Sequence, residues 1–176
     1  MRTTDKALPA FPDPAGVTDL RVWFCKYTSL APLASLHGLR TVVVASYPDD
    51  DLNALAPLEH LEYLLLLHLP RVSDLAPLGK LSALRTLRLH TLPSWDSSDR
   101  VTEVASLAPI ATLPNLAHLE LFGVRPASQS LADLERSSSL RTVRVSKYPE
   151  REVSRYRAAS GTSDAFAPRP GVADWS

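Results

Sequence analysis

The chain has 176 residues, 45% of them hydrophobic, and its 19 Lys plus Arg balance 19 Asp plus Glu. That length allows one domain or one short repeat array with a buried core, and the neutral balance argues against a nucleic-acid partner, which demands a basic footprint. No apolar run approaches the roughly 20 residues that span a bilayer, so no membrane partner is expected. The start, Met1–Lys6 followed by Pro9, Pro12 and Pro14, lacks the apolar stretch of a signal peptide. With one cysteine, Cys25, no internal disulfide can form; both features predict a reducing, cytoplasmic setting.

Taken in chain order, apolar residues recur on a template LxxLxxLxxLxxLxL. A degenerate first unit reads Leu8, Phe11, Pro14, Val17, Leu20, Val22. The second is Leu30, Leu33, Leu36, Leu39, Val42, Val44, and the third Leu55, Leu58, Leu61, Leu64, Leu67, Leu69. Leu75, Leu78, Leu81, Leu84, Leu87, Leu89 form the clearest unit, followed by Leu107, Ile110, Leu113, Leu116, Leu119, Leu121. Leu131, Leu134, Ser137, Leu140, Val143, Val145 close the series. Of 36 template positions, 34 are Leu, Ile, Val or Phe, where chance at this composition would place about 16. An internal repeat is therefore read before any local element.

The period changes within each unit. LxxLxxL suits a short 3-10 or helical segment, and LxL suits a strand with one buried face. Ser29, Asp74, Ser106 and Ser130 stand where a side chain can take up free N–H groups at the start of the helical part. Prolines 32, 57, 77 and 109 fall in the first turn, where a missing N–H matters little. The template predicts six short parallel strands starting near Val17, Leu39, Leu64, Leu84, Leu116 and Leu140. No unit buries its apolar edge alone; stacking must supply the core.

The stretch Val72-Ser-Asp-Leu-Ala-Pro-Leu-Gly-Lys-Leu-Ser-Ala-Leu-Arg-Thr-Leu-Arg-Leu89 resembles the roughly 22-residue repeats of bacterial leucine-rich-repeat proteins of the internalin class. The resemblance covers about Leu8 to Ser146. It implies a leucine-rich-repeat solenoid: a right-handed arc with a short parallel concave sheet and short helical or 3-10 segments on the convex side. Residues 1–16 then form an N-terminal cap or degenerate first unit, 17–148 the repeat array, and 149–176 a C-terminal cap and flexible tail. One departure stands out. Where such repeats place Asn or Cys, three residues after the last strand Leu, this chain has Cys25, Tyr47, Val72, Leu92, Val124 and Tyr148. Without an Asn ladder, irregular and less rigid turns are expected.

Strand alternation names the outward columns. The central one reads Arg21, Val43, His68, Arg88, Glu120, Arg144. Its flanks read Asp19, Thr41, Leu66, Thr86, His118, Thr142 and Trp23, Ala45, Pro70, His90, Phe122, Ser146. Glu120 should lie between the guanidinium groups of Arg88 and Arg144, either as part of a binding surface or as a plain surface ion-pair ladder worth about 0–1 kcal/mol. Exposed aromatics beside arginines are typical interface anchors.

These residues predict a non-enzymatic protein-interaction module, an adaptor or an immunity-type binder, whose partner is another protein. The expected contacts are Arg21, Trp23, His68, Arg88, His90, His118, Glu120, Phe122 and Arg144 on the concave face, with Trp95 in a loop; the competing expectation is that the chain's own tail covers Trp23 and Phe122. The alternatives are a structural or accessory repeat domain without a dedicated partner site and, last, an enzyme. His68, His90 and His118 on successive strands invite a metal site, but they fall in different columns with no carboxylate cluster, so no metal or other cofactor is expected. Cys25 has no obvious base beside it, and with six glycines no phosphate-binding loop is present. The insertion Thr91–Ala105, with Trp95, reads as a binding loop or as a loop packed by its own Trp. Glu150–Ser160 predicts a short capping helix, and Thr162–Ser176 an irregular tail in which a motif ending at Trp175 is conceivable.

Overall fold

The leucines of the helical half act twice. Each donates its N–H to the carbonyl of the leucine three before it: Leu33 to Leu30, Leu36 to Leu33 and Leu39 to Leu36, at 2.9–3.1 Å. The same stair runs Leu78 to Leu75, Leu81 to Leu78 and Leu84 to Leu81 at 3.0 Å. A period of three is the 3-10 period, so every bonded residue points the same way. These side chains are fully buried. The turns Ala31–Ser35, Ala76–Lys80 and Ala132–Arg136 are 3-10, and α2 (Ala108–Ala111) is a single α-turn. Ser29, Asp74, Ser106 and Ser130 each accept the N–H two residues on, at 2.8–3.1 Å. A second carboxylate comes from the next unit: Asp49 Oδ2 takes the Leu30 N–H and Asp133 Oδ2 that of Leu107, at 2.8 and 3.1 Å.

The computed structural model describes residues 5–172, so Trp175 lies outside the described residues. The strands are β1 (Asp19–Trp23), β2 (Thr41–Ala45), β3 (Tyr63–Leu67), β4 (Thr86–His90), β6 (His118–Phe122) and β8 (Thr142–Ser146). They form one six-stranded sheet in the order β1-β2-β3-β4-β6-β8, parallel throughout. One strand per unit, added in order, is the stacked architecture that the repeats require. Five strands begin two residues after the predicted starts; in β2 and β4 the period-three stair continues through Leu39 and Leu84 before the chain extends.

The third unit needs a correction. Its strand pairs Leu64 with Val42 and Leu87, and Leu66 with Val44 and Leu89. The buried strand pair is therefore Leu64 and Leu66, not Leu67 and Leu69, and Leu65 replaces His68 in the central column. Four consecutive leucines carry no alternation, so only the neighbouring strands select the register. The flanks change with it: Tyr63 and Leu67 replace Leu66 and Pro70.

The expectation of irregular turns is also corrected. Phe24, Ser46, His68, Gly123 and Lys147, each two residues past the last buried strand position, share a left-handed backbone with φ of 50–68°. Hydrogen bonds carry this turn from unit to unit: Ser46 to Leu67, His68 to His90 and Thr91 to Phe122, at 2.6–2.8 Å. Backbone replaces the Asn ladder, and buried Tyr47 and Val124 fill the space after it.

The insertion is more than a loop. It holds the turn α1 (Pro93–Asp96) and β5 (Thr102–Val104), which pairs in parallel with β7 (Val124–Pro126) of the next unit. Thr102 and Val104 are buried. At the far end α3 (Glu150–Ser160) forms where expected. Its Tyr156 is buried, and Glu152 accepts the Leu131 N–H at 2.6 Å.

Leu87 is fully buried between units. Leu87→Ala should lose about 2–5 kcal/mol in urea denaturation, through lost burial and the cavity left behind; a loss below about 1 kcal/mol would remove it from the core. At Gly123, φ is +68° and an added Cβ would meet Thr91 Oγ1 at 2.3 Å. Gly123→Ala should therefore cost about 1–3 kcal/mol, visible as a lower urea midpoint with an unchanged slope.

Candidate interaction surface

With the register corrected, the central outward column is Arg21, Val43, Leu65, Arg88, Glu120, Arg144. Its middle is charged. Arg88 Nε donates to Glu120 Oε2 at 2.7 Å, its Nη1 to the Tyr63 hydroxyl at 3.1 Å, and Arg144 Nη1 stands 3.6 Å from Glu120 Oε1. Glu120 therefore does lie between two guanidinium groups. It is no surface ladder, however, because its side chain is only 1% exposed.

The C-terminal segment adds to these contacts. After α3 the backbone turns at Gly161, in a left-handed conformation. Ser163 then joins the open edge of β8, accepting the Val143 N–H at 2.9 Å and donating to the Arg141 carbonyl at 3.0 Å. From there the chain crosses the strands. Phe166 stacks on the Arg144 guanidinium at 3.6 Å, and the Ala167 N–H donates to Glu120 Oε1 at 3.1 Å. Pro168 to Val172 share a cleft with Asp19, Thr41, Tyr63 and Thr86, and Arg169 and Pro170 a second with Arg21, Trp23, Leu65 and Arg88. The tail is irregular, as its prolines suggested, but it lies on the face that was expected to receive a partner.

The second flank stays open. The rings of His90 and Phe122 stack at 4.5 Å, and Arg144 lies over Phe122 at 5.3 Å. With Leu67, Pro93 and Ser146 they line an open cavity of about 510 Å³. His90 Nε2 is 3.2 Å from Glu120 Oε2 without hydrogen-bond alignment. At the other end of this flank Arg21 lies over Trp23 at 4.5 Å, and Trp23 meets Phe24, 43% exposed, edge to face.

His68 is not on the sheet face. It occupies the left-handed turn after β3, where its ring meets Trp95 edge to face at 4.8 Å. His68 and Trp95 thus form a rim at the C-terminal ends of the strands. His118 sits on the opposite flank, its Nδ1 2.9 Å from Thr142 Oγ1. So the three histidines point to three different places, and among the described residues no three His, Cys, Asp or Glu gather as a metal site would require. The Cys25 thiol is 3.9 Å from the Trp23 carbonyl, close enough to donate to it. Sequence reasoning missed Tyr63, Leu65, Leu67 and the tail residues Phe166 to Pro170. A 22-residue step from Val42 would have found Leu64 and hence the first three; the tail has no periodic signal.

Burial alone would push the Glu120 carboxyl up. The nearby His90 ring, the Ala167 N–H and Arg88 outweigh it and hold the group at about 2, against an ordinary 4.5. A depressed carboxylate contributes its full stability above the unfolded value and loses it as pH falls from 4.5 toward 2. Burial lowers His68, His90 and His118 from 6.5. Neutral rings must then take up protons on unfolding, so stability starts to fall below about 6.5. Glu120→Gln should lower stability at pH 7 by about 3 kcal/mol, because two guanidinium groups lose their counter-charge. It should flatten the fall between pH 4.5 and 2 and keep the onset near 6.5. Urea denaturation from pH 2 to 8 checks this; an unchanged acid limb in the variant contradicts it.

No protein-family model matches the sequence, and no curated protein does. Among solved structures, internalin C2 of Listeria monocytogenes superposes with a TM-score of 0.58 at 26% identity, over 75% of this chain and 53% of that one. The chain thus spans about half the length of that relative. The internalin inlF of Listeria monocytogenes aligns over 80% of this chain and 65% of its own, at 12% identity and a TM-score of only 0.27. Among the described residues no helix is long and apolar enough to cross a membrane. The parallel sheet with one strand per unit and the superposition on internalin C2 agree: the chain is a leucine-rich-repeat solenoid of the internalin-like repeat class.

Proposed function

We propose that the chain is a non-enzymatic protein-interaction module, an adaptor or immunity-type binder working in the cytoplasm, that holds another protein on its concave strand face. The carrying observation is the open flank: Leu67, His90, Phe122 and Arg144 line a cavity of about 510 Å³, with Pro93 of the insertion as its wall. A strand lattice presents these groups already ordered, so a partner loses little entropy on docking. An aromatic and aliphatic floor beside a cation suits a protein surface; a phosphate lattice would need repeated cations. The charged members Arg21, Arg88, Glu120 and Arg144 run beside this floor, His118 lies on the far flank, and Trp23, His68 and Trp95 edge the open side.

A second reading, a structural or accessory repeat domain, draws on the tail, which already covers the middle of the face. The two differ in outcome. The full-length chain is used to capture proteins from its source organism, alongside Trp23→Ala and Phe122→Ala variants with unchanged melting. A single partner bound at least about 30-fold more weakly by each variant is expected, as for interface anchors. Undiminished binding by both variants, or loss only on changing Trp95, would remove the partner from this face. Capture of nothing favours the structural reading.

A further inference from the structure

The tail is held as a ligand is held. Only Thr162 and Ala167 of the segment 162–172 are buried, and Phe166 is 77% exposed although it lies on Arg144. Its side chains add nothing to the leucine core. Its anchors are few and specific. The Ala167 amide meets a buried carboxylate, an aromatic ring meets a guanidinium, and two backbone hydrogen bonds tie Ser163 to the β8 edge. Beyond these, Pro168, Arg169 and Pro170 lie over a cleft whose walls carry Asp19 and Glu62 together with Arg40 and Arg85. Prolines keep such a segment extended and lower the entropy lost on docking.

We infer that the middle of the concave face is a receptor for an extended segment of the partner protein with the order aromatic, small, proline, cation, proline, and that Phe166-Ala-Pro-Arg-Pro170 occupies it in cis until the partner displaces it. The inference rests on the interaction reading above and supplies the chemistry of its ligand. Glu120 accepts a backbone N–H, so it asks for an unblocked amide at the small residue, where proline would fail. Arg144 lies 5.3 Å from the Phe122 ring and 3.6 Å from the Phe166 ring, the position of the incoming aromatic. The cation position is taken from the resident Arg169, which lines a cleft of mixed charge. A cis segment on a short tether competes at an effective concentration of about 1 mM, so a partner segment must bind more tightly or be presented with the open flank as a second contact.

The test uses the full-length chain and a fluorescein-labelled peptide, SDAFAPRPGV, followed by anisotropy. The double variant Phe166→Asp, Ala167→Pro removes both the ring and the amide from the resident tail. For a peptide with a Kd near 0.1 mM, competition at about 1 mM predicts roughly tenfold tighter binding to the double variant than to the parent. Adding Arg144→Glu should abolish that gain, and a peptide carrying Pro in place of the Ala167 equivalent should not bind. Equal binding to parent and double variant, or none to either, overturns the inference. A double variant that loses its cooperative melt without gaining peptide makes the tail a structural cover and overturns it too. If the captured partner is still lost on Phe122→Ala yet ignores the peptide and tail changes, the inference falls while the interaction reading stands.

Discussion

Everything in this molecule depends on one coupling. The residue that donates the i→i−3 hydrogen bond is also the residue that fills the core. Leu33, Leu36 and Leu39, like Leu55, Leu58 and Leu61 and Leu78, Leu81 and Leu84, satisfy their own backbone while pointing inward. A chain with fifteen prolines could not satisfy its buried amides by long helices. Three-residue steps avoid the problem, since Pro32, Pro77 and Pro109 stand in first turns where no N–H is owed. The regular stacking then brings each strand beside the one before it.

That regularity fixes where irregular chemistry can stand. Strand side chains alternate, so half of each strand belongs to the core and half to a lattice with neighbours about 4.8 Å apart. At that spacing Arg88, Glu120 and Arg144 must interact, and the sheet decides their order. A lone buried carboxylate would be prohibitively unfavourable in such a place. Here two guanidinium groups and a backbone amide of the tail satisfy it. The concave face is thus divided into a charged middle under the tail and an aromatic flank left open.

The turns show how a family pattern can be met by other means. The side-chain ladder of Asn expected of such repeats is absent, and a ladder of left-handed residues with inter-unit backbone bonds takes its place. Five residues as different as Phe24, Ser46, His68, Gly123 and Lys147 accept this conformation. Their side chains are then aimed by the backbone, which is how His68 comes to meet Trp95 at the rim.

Repeat number, strand order and the buried faces of five units were readable from the chain, because spacing along it maps directly onto a 3-10 edge or a strand face. The same holds for the meeting of Arg88, Glu120 and Arg144, since neighbouring strands in register place equal template positions side by side. The third unit was different. Leu64 to Leu67 fit either face equally well, and pairing with Val42 and Leu87 had to select between them. The tail lay further out of reach. Phe166-Ala-Pro-Arg-Pro170 has no period, and nothing local announces that an amide at 167 will seek a carboxylate 47 residues away. That contact exists only once the solenoid has built the groove, because the buried carboxylate that accepts the amide is assembled only in the folded molecule.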